Sequence, residues 1–530
     1  MISQTTENLL QKFQSYFNSK SVEKEAGPKI HVDYIASKVA SFYEKIRSIV
    51  DYQEEHLLRK NAIERMIRRR LVIKRNGQDI AKPLIYELIR AGHFPNDTIP
   101  EEKIKDIDTI IRKYILVLNN LSPSIKKNQK EELSSWIIKL ASCEVEEKLA
   151  PPLEDEFLAD YTYEVMKERI ALKDGANFSE KEKDIQLFIA VQKALLKADE
   201  SLITYRLLKL YYPEWPEAPE SLAIEMAQNL YSLKIALKKQ FSHPLASKFF
   251  NLCNTYNTPF LILRDIILKH PQEIKEKINQ AESLESLIEE AYQNRFERSK
   301  ARINRAAIYT TISIFITKML LAFAIEIPLD TYVAHQFSYI NLFISILFPP
   351  LLMFFIVSTI KPPSADNAQK VMWEVMKIVY ESEKKEVYEI RTGKKRSWLL
   401  DGIIGLTYLI TFTVSFGIIV WILWKELHFS IISQIIFLAF ICLIGFAGAK
   451  IRQRSKELNV EKEKESGLIF LMDFFFLPFI RTGRWLSKGL TKVNLIILLL
   501  TFVWEVPFQV FVEFLENWSS FLKEKKDEIH

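Results

Sequence analysis

Cysteine and glycine are scarce in this chain of 530 residues, which has 3 and 13 of them. Cys143, Cys253 and Cys442 are too few for a disulfide framework or a cysteine-based zinc site. A GK[ST] phosphate loop, HExxH, CxxC and a GxSxG elbow are missing from the sequence as well. The 8 histidines are scattered, and no two have the spacing of metal ligands. The sequence therefore gives no support for catalysis, and we expect no cofactor and no metal centre.

Few helix breakers interrupt the first 305 residues. Apolar residues there recur every three or four positions, and strand-like alternation is rare. The pattern predicts an all-α fold with a helical domain in two parts, 1–150 and 151–305, which meet near Pro151-Pro152. A division near Pro213 fits the sequence equally well. The second part ends in a juxtamembrane stalk, which either continues as one helix into the next segment or breaks near residues 299–304.

Four long apolar segments follow. A membrane helix needs about 20 apolar residues to cross roughly 30 Å of hydrocarbon. The segments that pass this test are 306–325, 340–360, 398–424 and 429–449. A soluble core helix seldom runs this long without a polar face. The region 306–449 is therefore predicted to form four transmembrane helices.

Basic residues cluster on one side of these spans. Five lie from Arg295 to Arg305, nine from Lys361 to Arg396 and four from Lys450 to Lys456. The two connections on the other side, 326–339 and 425–428, hold one between them. Because cytoplasmic loops retain Lys and Arg, we expect a multi-pass protein of the cell membrane with both termini in the cytoplasm.

The remaining polar segments are harder to assign. Between the second and third spans, Asp366–Arg391 reads as a charged helix. Residues 450–530 read as a cytoplasmic linker, a re-entrant or interfacial segment at 467–480, and an amphipathic C-terminal helix from residue 493 to 522. The alternative is two further spans at 467–480 and 493–512, which would leave four basic residues outside.

Lys318 and Glu326 are the first ionisable residues to explain. A charge at the centre of a span costs about 2.5–3.5 kcal/mol on insertion scales, so each one needs a partner or a function. Lys318 lies 13 residues past Arg305, which is about 19 Å of helical rise. It either extends outward to Glu326 or an external carbonyl, or it lines a transport pathway.

Asp401 and Asp473 are the other two candidate intramembrane sites. Asp401 lies near the cytoplasmic end of the third span, where the basic residues 394–396 are expected to pair with it. Asp473 is flanked by phenylalanines, and Arg481 is its expected partner. We expect Asp473 either to cap a re-entrant turn or to bind a proton or ion.

Proline and glycine inside the spans predict where helices bend or approach closely. Pro349 and Pro350 remove two backbone donors from the second span, so they mark a candidate kink. A broken span can form an ion site, although no inverted repeat accompanies it here. Four glycines predict close packing between the third and fourth spans: Gly402, Gly405, Gly445 and Gly448.

The most basic helix of the N-terminal region runs from Glu54 to Arg75. A helical wheel places Lys60, Arg65, Arg68 and Arg69 opposite its apolar residues. This face is either solvated and paired within the helix, or it binds anionic lipid or a protein partner. No aromatic interleaving or glycine-rich RNA motif accompanies it, so we expect no nucleic-acid partner.

Two stretches carry a family resemblance. Phe348-Pro349-Pro350-Leu351, and the stretch 473–478 followed by Gly483-Arg484-Trp485, resemble segments of uncharacterised integral membrane proteins from bacteria with reduced genomes. The resemblance covers the membrane half of the chain. It implies no activity and supplies no catalytic or binding residues.

Taken together, these patterns favour a membrane-anchored interaction or scaffold protein that faces the cytoplasm. Its expected partners are the anionic inner leaflet and a cytoplasmic protein, and a homo-oligomer is compatible with the sequence. The alternatives are a small-solute or ion transport protein, or a subunit of one, and then an enzyme acting at the lipid interface.

Overall fold

The computed structural model describes most of the chain. The described residues are 2–22, 27–32, 54–73, 79–123, 125–173, 179–335, 337–360, 365–380, 387–391, 398–460, 467–492 and Trp518. Regular structure within these ranges is helical apart from two short strands, which confirms the all-α class. The chain divides into two compact units. The N-terminal unit comprises Met1–Asn279 and Ile378–Thr392, and the span unit comprises Gln280–Lys377 and Gly393–Leu498.

Helices joined by short connections build the N-terminal unit. They are α1 (Gln4–Val22), α2 (Glu55–Ile73), α3 (Ala81–Arg90), α4 (Lys103–Asn119), α5 (Lys127–Leu149), α6 (Leu153–Arg169), α7 (Glu180–Leu195), α8 (Glu200–Tyr211), α9 (Glu220–Phe241), α10 (Ala246–Thr255), α11 (Asn257–Lys269) and α12 (Ile274–Ile278). The structure does not divide this unit at Pro151-Pro152. Pro152 only precedes the first turn of α6, a position that a helix tolerates.

Local sequence explains how several of these helices begin and what they bury. The side chains of α3 that are buried recur at helical spacing: Ala81, Leu84, Ile85, Leu88 and Ile89. At the start of α7, Ser179 Oγ accepts from the Glu182 N–H while the Glu182 carboxylate accepts from the Ser179 N–H. The buried faces join one hydrophobic core that includes residues from Ile30 to Leu237.

The connection between the second and third spans adds a strand to the N-terminal unit. β1 (Ile170–Lys173) pairs in parallel with β2 (Tyr388–Arg391), with Ile170 opposite Tyr388. Lys173 also donates to the Glu389 carboxylate at 2.7 Å. The predicted helix Asp366–Arg391 is therefore wrong in its second half, because pairing with a distant strand overrides the local helical pattern.

The span unit contains four helices long and apolar enough to cross a membrane, at the four segments where the sequence predicts them. Its elements are α13 (Ala281–Leu321), a first π turn (Ala322–Glu326), α14 (Ile327–Tyr332), α15 (Tyr339–Ser358), α16 (Ala365–Val379, which ends in the N-terminal unit), α17 (Trp398–Trp421), a second π turn (Ile422–Glu426), α18 (Ile431–Ser455) and α19 (Gly467–Lys492). The predicted stalk and the first span form one continuous helix, α13.

α19 is one helix and runs antiparallel to α18. Asp473 lies beside Arg452, and Gly483 lies against Cys442, so the sequence numbers rise on α19 as they fall on α18. The prediction of a separate segment that ends at Ile480 is therefore wrong, because the helix continues through Pro478 to Lys492. The predicted amphipathic helix 493–522 lies outside the described residues except for Trp518.

The span glycines pack differently from the prediction. A Cβ at Gly448 would lie 2.6 Å from Ile356 of α15, and one at Gly445 would lie 3.6 Å from Phe479 of α19. By contrast, nothing lies within 4 Å of a Cβ at Gly402 or Gly405. The prediction that these four glycines pack the third span closely against the fourth is therefore wrong. α17 instead contacts α19, where Ser415 Oγ donates to the Phe475 carbonyl at 3.0 Å.

Candidate functional site

A buried ion pair joins Lys318 of α13 to Glu326 of the first π turn. The Lys318 ammonium donates to Glu326 Oε1, and the side-chain exposure is 0% for Lys318 and 2% for Glu326. The Phe440 ring of α18 lies 5.2 Å from Lys318 Nζ, where its π face attracts the cation. Each charge therefore compensates the other in surroundings where a lone charge would be strongly disfavoured.

The first π turn directs Glu326 towards Lys318. In an uninterrupted α-helix, two residues 8 positions apart differ by about 80° around the axis, since each turns about 100°. A π turn winds less per residue, which brings Glu326 nearer to the face of Lys318. The Ile327 N–H donates to the Ala322 carbonyl, five residues back. Pro328, which follows, has no N–H to offer, so the wider turn coincides with a missing α-helical bond.

α15 supplies the third polar group of this site. Ser345 is 2% exposed, and its hydroxyl donates to Glu326 Oε2 at 3.2 Å. Pro349 comes four residues later and cannot donate to the Ser345 carbonyl. Pro349 and Pro350 are both buried in α15, which continues as a helix through them. The candidate kink residues thus lie about one turn along α15 from the ion pair.

A second acidic group lies beside the start of α18. Asp330 of α14 accepts from Ser430 Oγ at 2.5 Å and from Ser433 Oγ at 2.8 Å. Both hydroxyls belong to the first turn of α18, whose N-terminal dipole also favours a carboxylate. Sequence reasoning missed Asp330, Ser345, Ser430 and Ser433. The signal that could have found them is their polarity next to the ends and the proline pair of apolar spans.

The other two acidic candidates lie apart from this site. Asp473 pairs with Arg452 of α18, with contacts of 2.7 and 2.9 Å to Arg452 Nη1. The prediction that Arg481 pairs with Asp473 is wrong, because the Arg481 guanidinium lies 4.6 Å from the Tyr408 ring instead. Asp401 is exposed, and its expected basic partners 394–396 lie outside the described residues.

The basic residues of α2 do not form a common outer face. Lys60 is only 3% exposed and pairs with Asp199 at the start of α8. Arg69 pairs with Glu87 of α3 at 2.5 Å, and Arg65 is half-buried. Arg68 alone of the four is exposed, and it pairs with Glu64 at 2.8 Å. The outer position predicted for Lys60 is wrong because α2 is a central helix, covered on its polar side by other helices.

A buried polar network links α4 and α5 to the turn at Trp215. Lys113 Nζ donates to Glu144 Oε1 at 2.5 Å and to the Trp215 carbonyl at 2.8 Å. Tyr114 donates to Glu144 Oε2 at 2.7 Å and accepts from the Trp215 indole at 3.0 Å. Burial raises the pKa of Glu144 and lowers the pKa of Lys113. Because its partners satisfy one another, this network fixes helix packing rather than presenting a reactive group.

An open groove of about 740 Å³ lies between α1 and α6. The two helices run antiparallel: Thr6 contacts Tyr161 at 2.8 Å, and the rings of Tyr16 and Phe157 lie 6.2 Å apart. The groove is lined by Thr5, Asn8, Leu9, Gln11, Lys12, Ser15, Tyr16, Ser19, Leu153, Phe157, Tyr161 and Glu164. Aromatic and aliphatic side chains form part of its wall, and polar residues border them. Its volume is in the range of ligand pockets, about 300–1,000 Å³.

Neither a metal site among the described residues nor a known relative helps to assign a function to this chain. Within the part of the chain that the structure describes, no three His, Cys, Asp or Glu side chains are grouped so that they could hold a metal ion. None of the family models, curated proteins or solved structures compared with the chain matches it. The function must therefore be inferred from the residues themselves.

Proposed function

We propose that this chain is a membrane-anchored interaction protein whose N-terminal unit binds a protein partner at the cytoplasmic face. The observation that carries the proposal is the contrast between its two units. In each of the first three apolar helices of the span unit, only 11% to 22% of the most apolar stretch of 18 residues is buried, which suits contact with lipid. The N-terminal unit buries its own core, as a protein domain in water does.

The strand pairing supports the sidedness on which this proposal depends. β2 belongs to the connection between the second and third spans, yet it pairs with β1 of the N-terminal unit. The N-terminal region and this connection therefore share one side of any bilayer that α13 and α15 cross. Two crossings between them agree with this, and so does the basic composition of both segments.

The groove between α1 and α6 is the surface that we assign to the partner. Two antiparallel helices leave room for a third helix, which would bury the apolar side chains of the wall and leave the border to polar contacts. Leu153 is 37% exposed at this groove. We therefore expect the partner to present an amphipathic helix.

Photo-crosslinking of the full-length chain in membranes tests this assignment. The full chain is needed because a fragment ending near residue 300 would lack β2. A photoreactive amino acid at Asn8, in the groove wall, is expected to crosslink one protein in abundance, whereas the same amino acid at exposed Ser232 of α9 is not. Leu153→Glu should abolish the Asn8 product by placing a charge in the groove. Crosslinking that is equal at both positions, or insensitive to Leu153→Glu, would contradict the assignment.

A small-solute or ion pathway is the second candidate, favoured by the buried Lys318–Glu326 pair beside a π turn and two prolines. Ionisable groups in membrane spans often mark transport pathways. Under this function, Lys318→Met/Glu326→Leu, which removes both buried charges, should abolish solute-dependent flux in reconstituted vesicles, whereas Arg112→Gln, on the exposed side of α4, should not. Flux that is equal in both variants would exclude a role for Lys318 in transport.

A further inference from the structure

Two arginines of α19, Arg481 and Arg484, are exposed in the span unit. The Arg481 guanidinium lies 4.6 Å from the Tyr408 ring of α17, and the Arg484 guanidinium lies 6.0 Å from the Phe446 ring of α18. Among the residues that the structure describes, neither arginine forms an ion pair. Contact with a ring leaves the N–H groups of a guanidinium available to a carboxylate.

The register of α19 against α18 is set at two points. Asp473 pairs with Arg452, and Gly483 lies so close to Cys442 that a Cβ would overlap the Cys442 carbonyl oxygen. These two points are ten residues apart on both helices. The antiparallel helices therefore match residue for residue over this stretch.

This register places both arginines at the depth of the predicted fourth span. Arg481 is level with Ile444 and Arg484 with Ile441, which are five and eight residues before the end of that span at Ala449. These offsets correspond to about 8 Å and about 12 Å of helical rise, within a hydrocarbon layer of roughly 30 Å. Arg484 in particular lies near the middle of the bilayer.

α17 agrees with this depth and leaves room for another helix. Tyr408, which contacts Arg481, lies ten residues past the start of the third span at Trp398, or about 15 Å of helical rise. One turn before Tyr408, nothing lies within 4 Å of a Cβ at Gly405, and the same holds at Gly402. Small residues on a surface allow a second membrane helix to approach closely.

Cations at this depth need a counter-charge. Arginine is among the most costly residues to place at the centre of a membrane helix, and ionisable residues there usually pair with one another. Lys318 and Glu326 of the same unit follow this rule, since they pair with each other and both are buried. Arg481 and Arg484 are exposed instead, so the geometry favours an anion brought by another molecule.

We propose that Arg481 and Arg484 bind a transmembrane helix of another membrane protein through an aspartate or glutamate near the middle of that helix. The guanidinium fork matches a carboxylate in geometry and charge, and the low dielectric of the bilayer strengthens their attraction. The open glycines of α17 allow the partner helix to pack beside the arginines. This contact belongs to the span unit alone and does not depend on the groove between α1 and α6.

Energy transfer between the full-length protein and a model membrane helix tests the proposal. The donor probe is a leucine-rich peptide of about 21 residues with one central aspartate, and its control has leucine at that position. The acceptor is attached to Thr331→Cys, because the three native cysteines are buried. In phosphatidylcholine vesicles, the wild type should bind the aspartate peptide about tenfold more tightly than the leucine peptide, since polar contacts between membrane helices have roughly that strength.

Three double variants show whether the arginines cause this preference. Arg481→Gln/Arg484→Gln should lose it, whereas Arg481→Lys/Arg484→Lys, which keeps both charges, should retain most of it. The matched control is Arg298→Gln/Arg302→Gln, which removes two exposed arginines of α13 that precede the first span. The control should keep the full preference.

Four results would overturn the proposal. The first is equal binding of the two peptides by the wild type, and the second is an unchanged preference in Arg481→Gln/Arg484→Gln. Tighter binding of the aspartate peptide by Glu505→Gln would instead assign the arginines to this chain's own C-terminal stretch. Self-association of the wild type that Arg481→Gln/Arg484→Gln abolishes would assign them to a second copy of the chain.

Discussion

Removing one charge of the Lys318–Glu326 pair is expected to destabilise the span unit far more than removing both. Lys318→Met leaves the Glu326 carboxylate buried beside the Ser345 hydroxyl but without its cation, and Glu326→Leu leaves the Lys318 ammonium without its paired carboxylate. Breaking one partner of a buried pair costs about 3–5 kcal/mol. Replacing both with apolar residues of similar volume ranges from neutral to about 1–4 kcal/mol stabilising. Each single variant should therefore be less stable than Lys318→Met/Glu326→Leu.

Reversible unfolding of the four proteins in bicelles, followed by tryptophan fluorescence against denaturing detergent, measures the cycle. The control is the Asp108–Arg112 pair of α4, whose side chains are 26% and 66% exposed and lie four residues apart. Its coupling energy should be about 0.3–0.5 kcal/mol. Additive single-variant effects at Lys318 and Glu326, or a coupling as small as that of the control, would refute the reasoning that burial makes this pair interdependent.

Three further predictions concern packing, acid stability and sidedness. Gly483→Ala should lower the free energy of unfolding by about 1–3 kcal/mol, because the added Cβ overlaps the facing backbone of α18. Gly405→Ala should not lower it, because nothing lies within 4 Å of the added Cβ and alanine has the higher helix propensity. Thermal unfolding in detergent compares the two variants. Burial lowers the pKa of His56 below its ordinary 6.5, so the unfolded chain binds more protons and His56 destabilises the fold progressively as the pH falls through 6.5. The Tm of the wild type minus the Tm of His56→Gln should therefore become lower from pH 7.5 to 5.5, and a constant difference would exclude this linkage. The three native cysteines are buried, so an impermeant maleimide applied to intact cells should label Thr331→Cys but not Ser232→Cys until the cells are permeabilised; labelling of Ser232→Cys in intact cells would reverse the assigned sidedness.

The spans could be predicted from sequence because their signal is local. About 20 apolar residues in a row are sufficient to identify a crossing helix, whatever packs against it. The partners of the charged residues are a different matter. Lys60 pairs with Asp199, 139 residues away, and Arg59 pairs with Glu146, 87 residues away. A helical wheel of α2 shows its basic side but not the acidic helices that cover it, so it cannot distinguish a central helix from a surface helix.

The same limit applies to the candidate site. Lys318 and Glu326 are close in sequence, so an outward-reaching pair could be foreseen from the chain alone. Ser345 could not, because it comes from another helix and its hydroxyl faces Glu326 only through the packing of α13 on α15. The sequence indicates Arg481, on the same helix, as the partner of Asp473, whereas the structure pairs Asp473 with Arg452 of the antiparallel neighbour. Partners across helices depend on register, which hydropathy does not contain.

The position of α19 explains why the glycine pattern was misleading. α17 contacts α19 through Ser415 and through the rings of Phe416 and Phe479, 4.6 Å apart, while Gly402 and Gly405 are open. The third span is therefore held to the bundle largely by a helix that follows the fourth. If α19 were displaced from α18, α17 would lose these contacts as well. Loosening of both α19 and α17 by a substitution at Gly483 is the consequence that this arrangement requires.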